Sequence, residues 1–208
     1  MPTAYAPSPA SRPTRPGALL RPSLGLAAIV LLLFGLSYSL VATGIGRALF
    51  PHAAQGSLLE RAGQVIGSAL VAQPFAADGY FQPRPSAANY DLMALAGSNQ
   101  ARGNPELRAR LDQTRAAIAA REGITLAAVP GDLLTQSGSG IDPHISPQSA
   151  RIQIARIARA RMLPAPRIAA LVAQHTEGPQ WGWFGQPRIN VLQLNLALDA
   201  LSATNGLH

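Results

Sequence analysis

Neither cysteine nor lysine occurs among the 208 residues, so all 17 basic side chains are arginines. Without cysteine there is no disulfide framework, no thiol nucleophile and no thiolate metal site. Without lysine there is no Walker-type phosphate loop with its ammonium, no Schiff-base chemistry and no Ser–Lys hydrolase. Histidine is sparse as well. His52, His144, His175 and His208 are scattered without helical i, i+4 pairing, so no metal site is expected.

Charge is missing altogether between Arg21 and Arg47. The intervening run, Pro22 to Gly46, is apolar around any helical circumference, unlike the core helix of a small soluble domain. A bilayer core of roughly 30 Å takes about 20 such residues as a helix, the one single-segment structure that satisfies its own backbone in lipid. Residues 22–46 therefore read as a transmembrane helix. Arg12, Arg15 and Arg21 precede it with no acid among them, and Arg47, His52, Glu60 and Arg61 follow. That bias places the N-terminus in the cytoplasm and the bulk of the chain outside. A cleaved signal peptide is the competing reading, with Ala42-Thr43-Gly44 as a small-x-small site, but the run is long for one. Residues 1–21, rich in Pro, Ser and Ala over 1–17, are expected to form a disordered cytoplasmic tail.

Residues 47–208 are enough for one extracytoplasmic domain with a real core. Their fourteen arginines and ten acids leave a net +4, spread along the chain. No aromatic-interleaved basic patch accompanies that charge, so a nucleic-acid partner is not expected. Leu58-Leu59, Val65-Ile66 and Ala69-Leu70-Val71, cut by Gly63 and Gly67, suit short strands. Asn104-Pro105-Glu106 opens a helix with cap, proline and dipole-matched acid, and Gly123 ends it; Leu107, Leu111, Thr114 and Ile118 share a face. Ser146-Pro147 opens a second helix running through Ile152, Ile157 and Met162. A third covers about 166–175. Ile189 to Leu194 reads as a strand, with Asn195 capping a short terminal helix. Helices and strands mix without βαβ alternation, so the fold class is α+β.

Thr135 to Pro147 is the most unusual segment. Ser137-Gly138-Ser139-Gly140 before a helix start is a candidate anion cradle of backbone N–H groups. The favoured reading is a tight turn in which Gly138 and Gly140 take positive φ and Asp142 caps local backbone, since no phosphate-loop pattern is matched. Ser137 or Ser139 with Asp142 and His144 evokes a hydrolase. Residues so close in sequence rarely converge into a triad, however, and no Gly-x-Ser-x-Gly elbow sits between a strand and a helix. Arg151, Arg156, Arg159 and Arg161 fit a solvated polar face better than an acidic-partner or lipid contact. Tyr80, Phe81 and Arg84, in a stiff proline-flanked loop, are candidate partner contacts. Trp181-Gly-Trp183-Phe-Gly185 fits core, partner surface or headgroup layer alike.

Several motifs occur in one order. They are Tyr80-Phe-x-x-Arg-Pro-Ser-Ala87, Gly97-Ser-Asn99 with Asn104-Pro-Glu-Leu107, Val129-Pro-x-Asp-Leu-x-Thr135, the Ser137–Pro147 loop, Gln153-x-x-Arg156, and Gly185-Gln-Pro-x-x-Asn-x-x-x-Leu-Asn-Leu-Ala-Leu-Asp199. The series resembles the C subunit of the bacterial Kdp-type potassium-transporting P-type ATPase. Departures are local: Gln100 replaces a customary apolar residue, and Ala72 and Ala96 replace glycines. The resemblance implies a single-pass inner-membrane subunit of a complex that imports K⁺ at the expense of ATP. It implies a channel-like A subunit, an ATP-hydrolysing B subunit, often a small F subunit, and membrane lipid as partners. The C subunit itself is expected to be non-catalytic and without a cofactor of its own, needed for assembly and activity. The family is also described as a chaperone that raises the ATP affinity of the B subunit. On that description Gln153 and the Ser137–Gly140 loop are candidate nucleotide contacts. An external domain could not meet cytoplasmic ATP, which favours an exported cap over the ion entrance.

Overall fold

A computed structural model describes residue 17 and residues 19–205; residues 1–16 and 18, most of the expected tail, lie outside the described residues. Helix α1, Leu20–Leu49, contains a wider π-helical stretch, Leu31–Ser37, about Gly35. It overruns the expected 22–46 span at both ends. Thirty residues of helix measure about 45 Å, ample for a hydrocarbon core of roughly 30 Å. None of its most apolar stretch is buried by protein. Leu24, Leu31, Leu32 and Phe34 all stand open, so the surface this helix suits is lipid. A short helix α2, Pro51–Ala54, completes the first compact unit, which ends at Gln55.

The second unit, from Gly56 onward, begins with a hairpin. Strands β1, Leu58–Arg61, and β2, Gln64–Ser68, pair antiparallel as Leu58↔Ser68, Leu59↔Gly67, Glu60↔Val65 and Arg61↔Gln64, with an irregularity between Leu59 and Glu60. The turn holds Ala62 at φ +51° and Gly63 at φ +77°, the pair of positive values that matches strand twist in a two-residue hairpin. The third expected strand does not form. Ser68 Oγ accepts from the N–H of Leu70, and Val71 N–H reaches back to Ser68 O, so residues 69–71 turn away.

Five helices contribute residues to the core. Helix α3, Pro105–Glu122, has Asn104 as N-cap, its side chain accepting from Glu106 N–H, and Gly123 in the left-handed region as its stop. A 3₁₀ turn, Leu126–Ala128, and helix α4, Gly131–Leu134, lead to strand β3, His144–Ile145. Helix α5, Pro147–Arg161, is capped by Ser146, which accepts from Ser149 N–H. Helix α6, Ala165–Gln174, follows. Met162 is the left-handed residue that ends α5 and is 91% exposed, so it caps the helix and leaves the core to Ile157.

Strand β4 is only Ile189–Asn190, paired with β3, and helix α7, Val191–Asn205, starts at once. The expected strand through Leu194 is thus mostly helix. Asn190, not Asn195, takes the capping role, its Oδ1 accepting from Gln193 N–H at 3.1 Å. The physical reason lies in the spacing: Val191, Leu194, Asn195 and Leu198 are all buried, an i, i+3, i+4, i+7 face. Ile157, Ile168, Ile189, Leu194 and Leu198 are fully enclosed in one cluster with Phe81 and Leu133. Truncating Ile157 to alanine should lower unfolding stability by about 2–5 kcal/mol, read by denaturant or thermal melts of the chain followed by circular dichroism.

Candidate functional site

Residues 78–86 cross this core without helix or strand hydrogen bonds of their own, which leaves buried peptide groups in need of partners. Two side-chain amides supply them. Asn195 on α7 accepts from Phe81 N–H at 2.8 Å and donates to Phe81 O at 3.0 Å. Gln153 on α5 accepts from Gln82 N–H at 2.8 Å and donates to Gln82 O and to Ser149 O, each at 3.2 Å. Each amide does for one residue what a neighbouring strand does in an antiparallel pair.

Arg156, one turn beyond Gln153, fixes the segment upstream. Its Nη1 donates to the carbonyls of Asp78 and Tyr80, and its Nη2 to Gln153 Oε1 at 2.9 Å. Its Nε contacts both oxygens of Glu122, at 3.2 and 3.0 Å. The Glu122 side chain is wholly buried and that of Arg156 nearly so. Arg121 adds a second cation at 2.8 Å. A charge pair this deep persists because each polar atom of the two side chains has at least one partner.

Arg161 holds the same segment further along: Nε donates to Gly79 O at 2.6 Å, Nη2 pairs with Asp199 at 2.7 Å, and the guanidinium lies 4.5 Å from the Tyr80 ring centroid. Tyr80 also donates its hydroxyl to Asp199 at 3.3 Å. Asp199 in turn receives Arg61 at 2.7 Å, which ties the hairpin to α7.

The Ser/Gly loop is built against the end of this segment. Ser137 N–H donates to Pro85 O, Gly140 N–H to Ser137 O, Ile141 N–H to Ser139 Oγ and Asp142 N–H to Ser137 Oγ. Ser86 Oγ donates to Gly140 O at 2.6 Å. Gly140 sits at φ +80°, and a Cβ there would come within 2.8 Å of Ala96 O, so glycine is required. Gly138 does not share the positive φ expected of it. Two of the four N–H groups of the candidate cradle, those of Ser137 and Gly140, therefore have internal acceptors, with Gly138 and Ser139 standing exposed.

Arg84 lies at the centre of the loop. It donates to Asp132 O at 3.1 Å, Asp142 Oδ2 at 3.0 Å, Thr135 Oγ1 at 3.2 Å and Gln136 O at 3.4 Å. Tyr90 donates its hydroxyl to Arg84 O at 2.8 Å. Burial raises the Tyr90 phenol above its usual value more than Arg121 lowers it, which keeps that donor protonated. Burial alone would raise the Asp142 carboxyl; hydrogen bonds from His144, with the charges of His144 and Arg84, outweigh it and hold the group below the usual range. His144 Nδ1 lies 3.1 Å from Asp142 Oδ1. Among the described residues no hydrogen bond joins His144 to Ser137 or Ser139, so these groups do not form a hydrolytic triad. No cluster of three or more metal-ligating His, Asp or Glu side chains occurs among the described residues.

Residues 20–200 match the family described as KdpC: K⁺-transporting ATPase, c chain. The chain belongs to the KdpC family. It is 63% identical over 189 residues to the potassium-transporting ATPase KdpC subunit of Xanthomonas campestris pv. campestris, covering 91% of this chain and 90% of that one. To the subunits of the same name from Shewanella putrefaciens and Gemmatimonas aurantiaca it is 51% identical over 181 residues and 49% over 189. Coverage is 86% of this chain and 91% of the relative in the first case, and 89% and 94% in the second. KdpC is a subunit of the K⁺-transporting ATPase.

In this KdpC chain the sequence-picked residues fall into three sets. Phe81, at 0% exposure, is core rather than contact surface; Tyr80 and Arg84 are partly buried and bonded within the domain. Their aromatic and cationic character serves the fold, since a segment without a ladder needs strong side-chain partners. Gln153, also at 0%, and Ser137 face inward. Trp181 and Trp183, each 87% exposed, project from a turn. Arg156 is no solvated face residue, and sequence reasoning missed the roles of Asn195, Glu122 and Asp132. The usable signal was polar residues in apolar register: Gln153 and Arg156 beside Ala150 and Ile157, and Asn195 beside Val191, Leu194 and Leu198.

Replacing Arg156 by methionine leaves the Glu122 carboxylate to Arg121 alone and strips the Asp78 and Tyr80 carbonyls of their donor; it should cost about 3 kcal/mol in chemical denaturation, well above an exposed arginine such as Arg151 treated alike. Asp142 gives a pH signature. Its lowered pKa adds stability that is complete above the unfolded value of about 3.9 and is lost as pH falls through the folded one. Asp142→Asn should therefore flatten the acid limb of the stability–pH curve below about pH 4 while lowering stability at neutral pH.

Proposed function

We propose that this chain is a non-catalytic accessory subunit of a high-affinity, ATP-driven potassium importer, held in the inner membrane by α1. The N-terminus is cytoplasmic and residues 47–208 form an external domain, with the hairpin and core described above beginning at Gly56. The partners are the channel-like A subunit, the ATP-hydrolysing B subunit and the small F subunit. Potassium and ATP belong to the complex rather than to this chain, whose domain caps the ion entrance and stabilises the A–B assembly.

The observation that carries this reading is the inward direction of the polar motif residues. Gln153, Asn195, Arg156 and Arg84 direct their hydrogen bonds to main chain and side chains of the same domain, as scaffolding does. Three arginines before the span against Arg47 and Arg61 after it support the topology. The alternative, a chaperone that contacts nucleotide through Ser137–Gly140 and Gln153, draws support from the exposed Gly138 and Ser139. It requires Gln153 to release its partners in the core, and the chain has no lysine to neutralise phosphate.

Two measurements on the intact complex test the proposal. In sealed right-side-out vesicles, protease should remove the domain without disruption of the membrane; cleavage only after lysis would overturn the external placement. Gln153→Ala should reduce recovery of assembled complex yet leave the apparent ATP affinity of what assembles unchanged. A fall in ATP affinity with normal recovery would instead establish the nucleotide reading.

A further inference from the structure

Residues 178–187, Gly-Pro-Gln-Trp-Gly-Trp-Phe-Gly-Gln-Pro, carry no charge. They form a closed turn outside the core. Glu177 and Arg188 seal its base by a two-way backbone bridge and a 3.0 Å ion pair. Inside that seal Gln180 and Phe184 exchange both backbone hydrogen bonds, Gly182 N–H donates to Pro179 O and Trp183 N–H to Gln180 O. Trp181 itself is left-handed, at φ +52°, and its ring meets Phe184 edge-on with centroids 6.1 Å apart. A bulky residue adopts that conformation at a cost, and the result is to hold the ring outward. Trp181 and Trp183 are 87% exposed and Phe184 is 64% exposed.

We infer that this turn is a membrane-surface anchor, seating Trp181, Trp183 and Phe184 in the headgroup layer of the bilayer that α1 crosses. Three observations favour lipid over a protein partner. Tryptophan, with an apolar body and one N–H, is the side chain best matched to the boundary between headgroups and acyl chains. The backbone donors of Gln180, Gly182, Trp183 and Phe184 are already bonded within the turn, which closes it to docking by strand addition, a mode that needs free ones. Only residues 50–57 separate α1 from β1, so the bilayer that α1 suits is within reach of the second unit through the chain itself. The inference does not depend on which side of the membrane the domain occupies, and it stands or falls separately from the accessory-subunit reading.

These are the only two tryptophans in the chain, so intrinsic fluorescence reports the turn alone. The full-length chain would be reconstituted in phosphatidylethanolamine–phosphatidylglycerol vesicles with and without lipids brominated near the headgroup end of the acyl chain. Emission should shift to the blue of free indole, and bromolipid should remove about half of the intensity, as for a ring at the interface. Replacing both Trp181 and Trp183 would remove the signal, so Trp183→Phe and Trp181→Phe, each retaining one reporter, localise the effect; both should remain quenched. Emission of solvent-exposed indole, indifferent to bromolipid, would overturn the inference. A cysteine-free chain also accepts a single nitroxide at Trp183→Cys, attached before assembly with the other subunits. High collision with oxygen over a water-soluble nickel chelate would support lipid contact in the complex. Low access to both would identify a protein partner and overturn it.

Discussion

A guanidinium enclosed between a buried carboxylate and two main-chain carbonyls decides where the domain places its longest irregular segment. Arg156 is neutralised by Glu122 from α3 and directs its remaining N–H groups to Asp78, Tyr80 and Gln153, so three separate parts of the chain meet at one side chain. The low-dielectric surroundings make the arrangement all-or-none, because any member left alone would be an unsatisfied buried group. Everything downstream in the segment, from the Phe81 ring in the core to Arg84 in the Ser/Gly loop, is positioned relative to that junction.

The stretch that brackets the Ser/Gly loop, from Asp132 to Asp142, encloses Arg84. Its carbonyls and carboxylate are arranged around a cation already present in the chain: Asp132 O, Gln136 O, Thr135 Oγ1 and Asp142. Asp132 meanwhile accepts from Ser146 and Ser149 at the start of α5, so the loop and the helix cap share one acid.

Much of the fold is legible in the sequence because local signals agree with tertiary need. Asn104-Pro105 with Gly123, and Ser146-Pro147, mark α3 and α5 through capping chemistry that acts within a few residues. The long apolar helix α1 follows from composition alone. The failures share a cause. Ile189 to Leu194 reads as strand because it is short, mostly apolar and holds β-branched Ile189 and Val191, and only the partners of Asn195 and Leu198 across the core disclose the helical period. Phe81 resembles a contact residue because stiffness and aromaticity serve an interface and an interior crossing equally. Asn195, Gln153 and Arg156 acquire their meaning from Phe81, Gln82 and Asp78, over 70 residues away, a pairing that no local pattern encodes.

The two amides that grip Phe81 and Gln82 have a consequence beyond satisfying those peptide groups. Main-chain atoms are the same at every position, so recognition of this sort is blind to side-chain identity and sensitive to count. Consecutive residues held by amides from two different helices form a vernier: sliding the segment by one place would misalign both grips together with the Phe81 ring. The crossing thus has one setting, fixed by length rather than by chemistry, and the helices that bear Gln153 and Asn195 are coupled through it as if by a rigid strut.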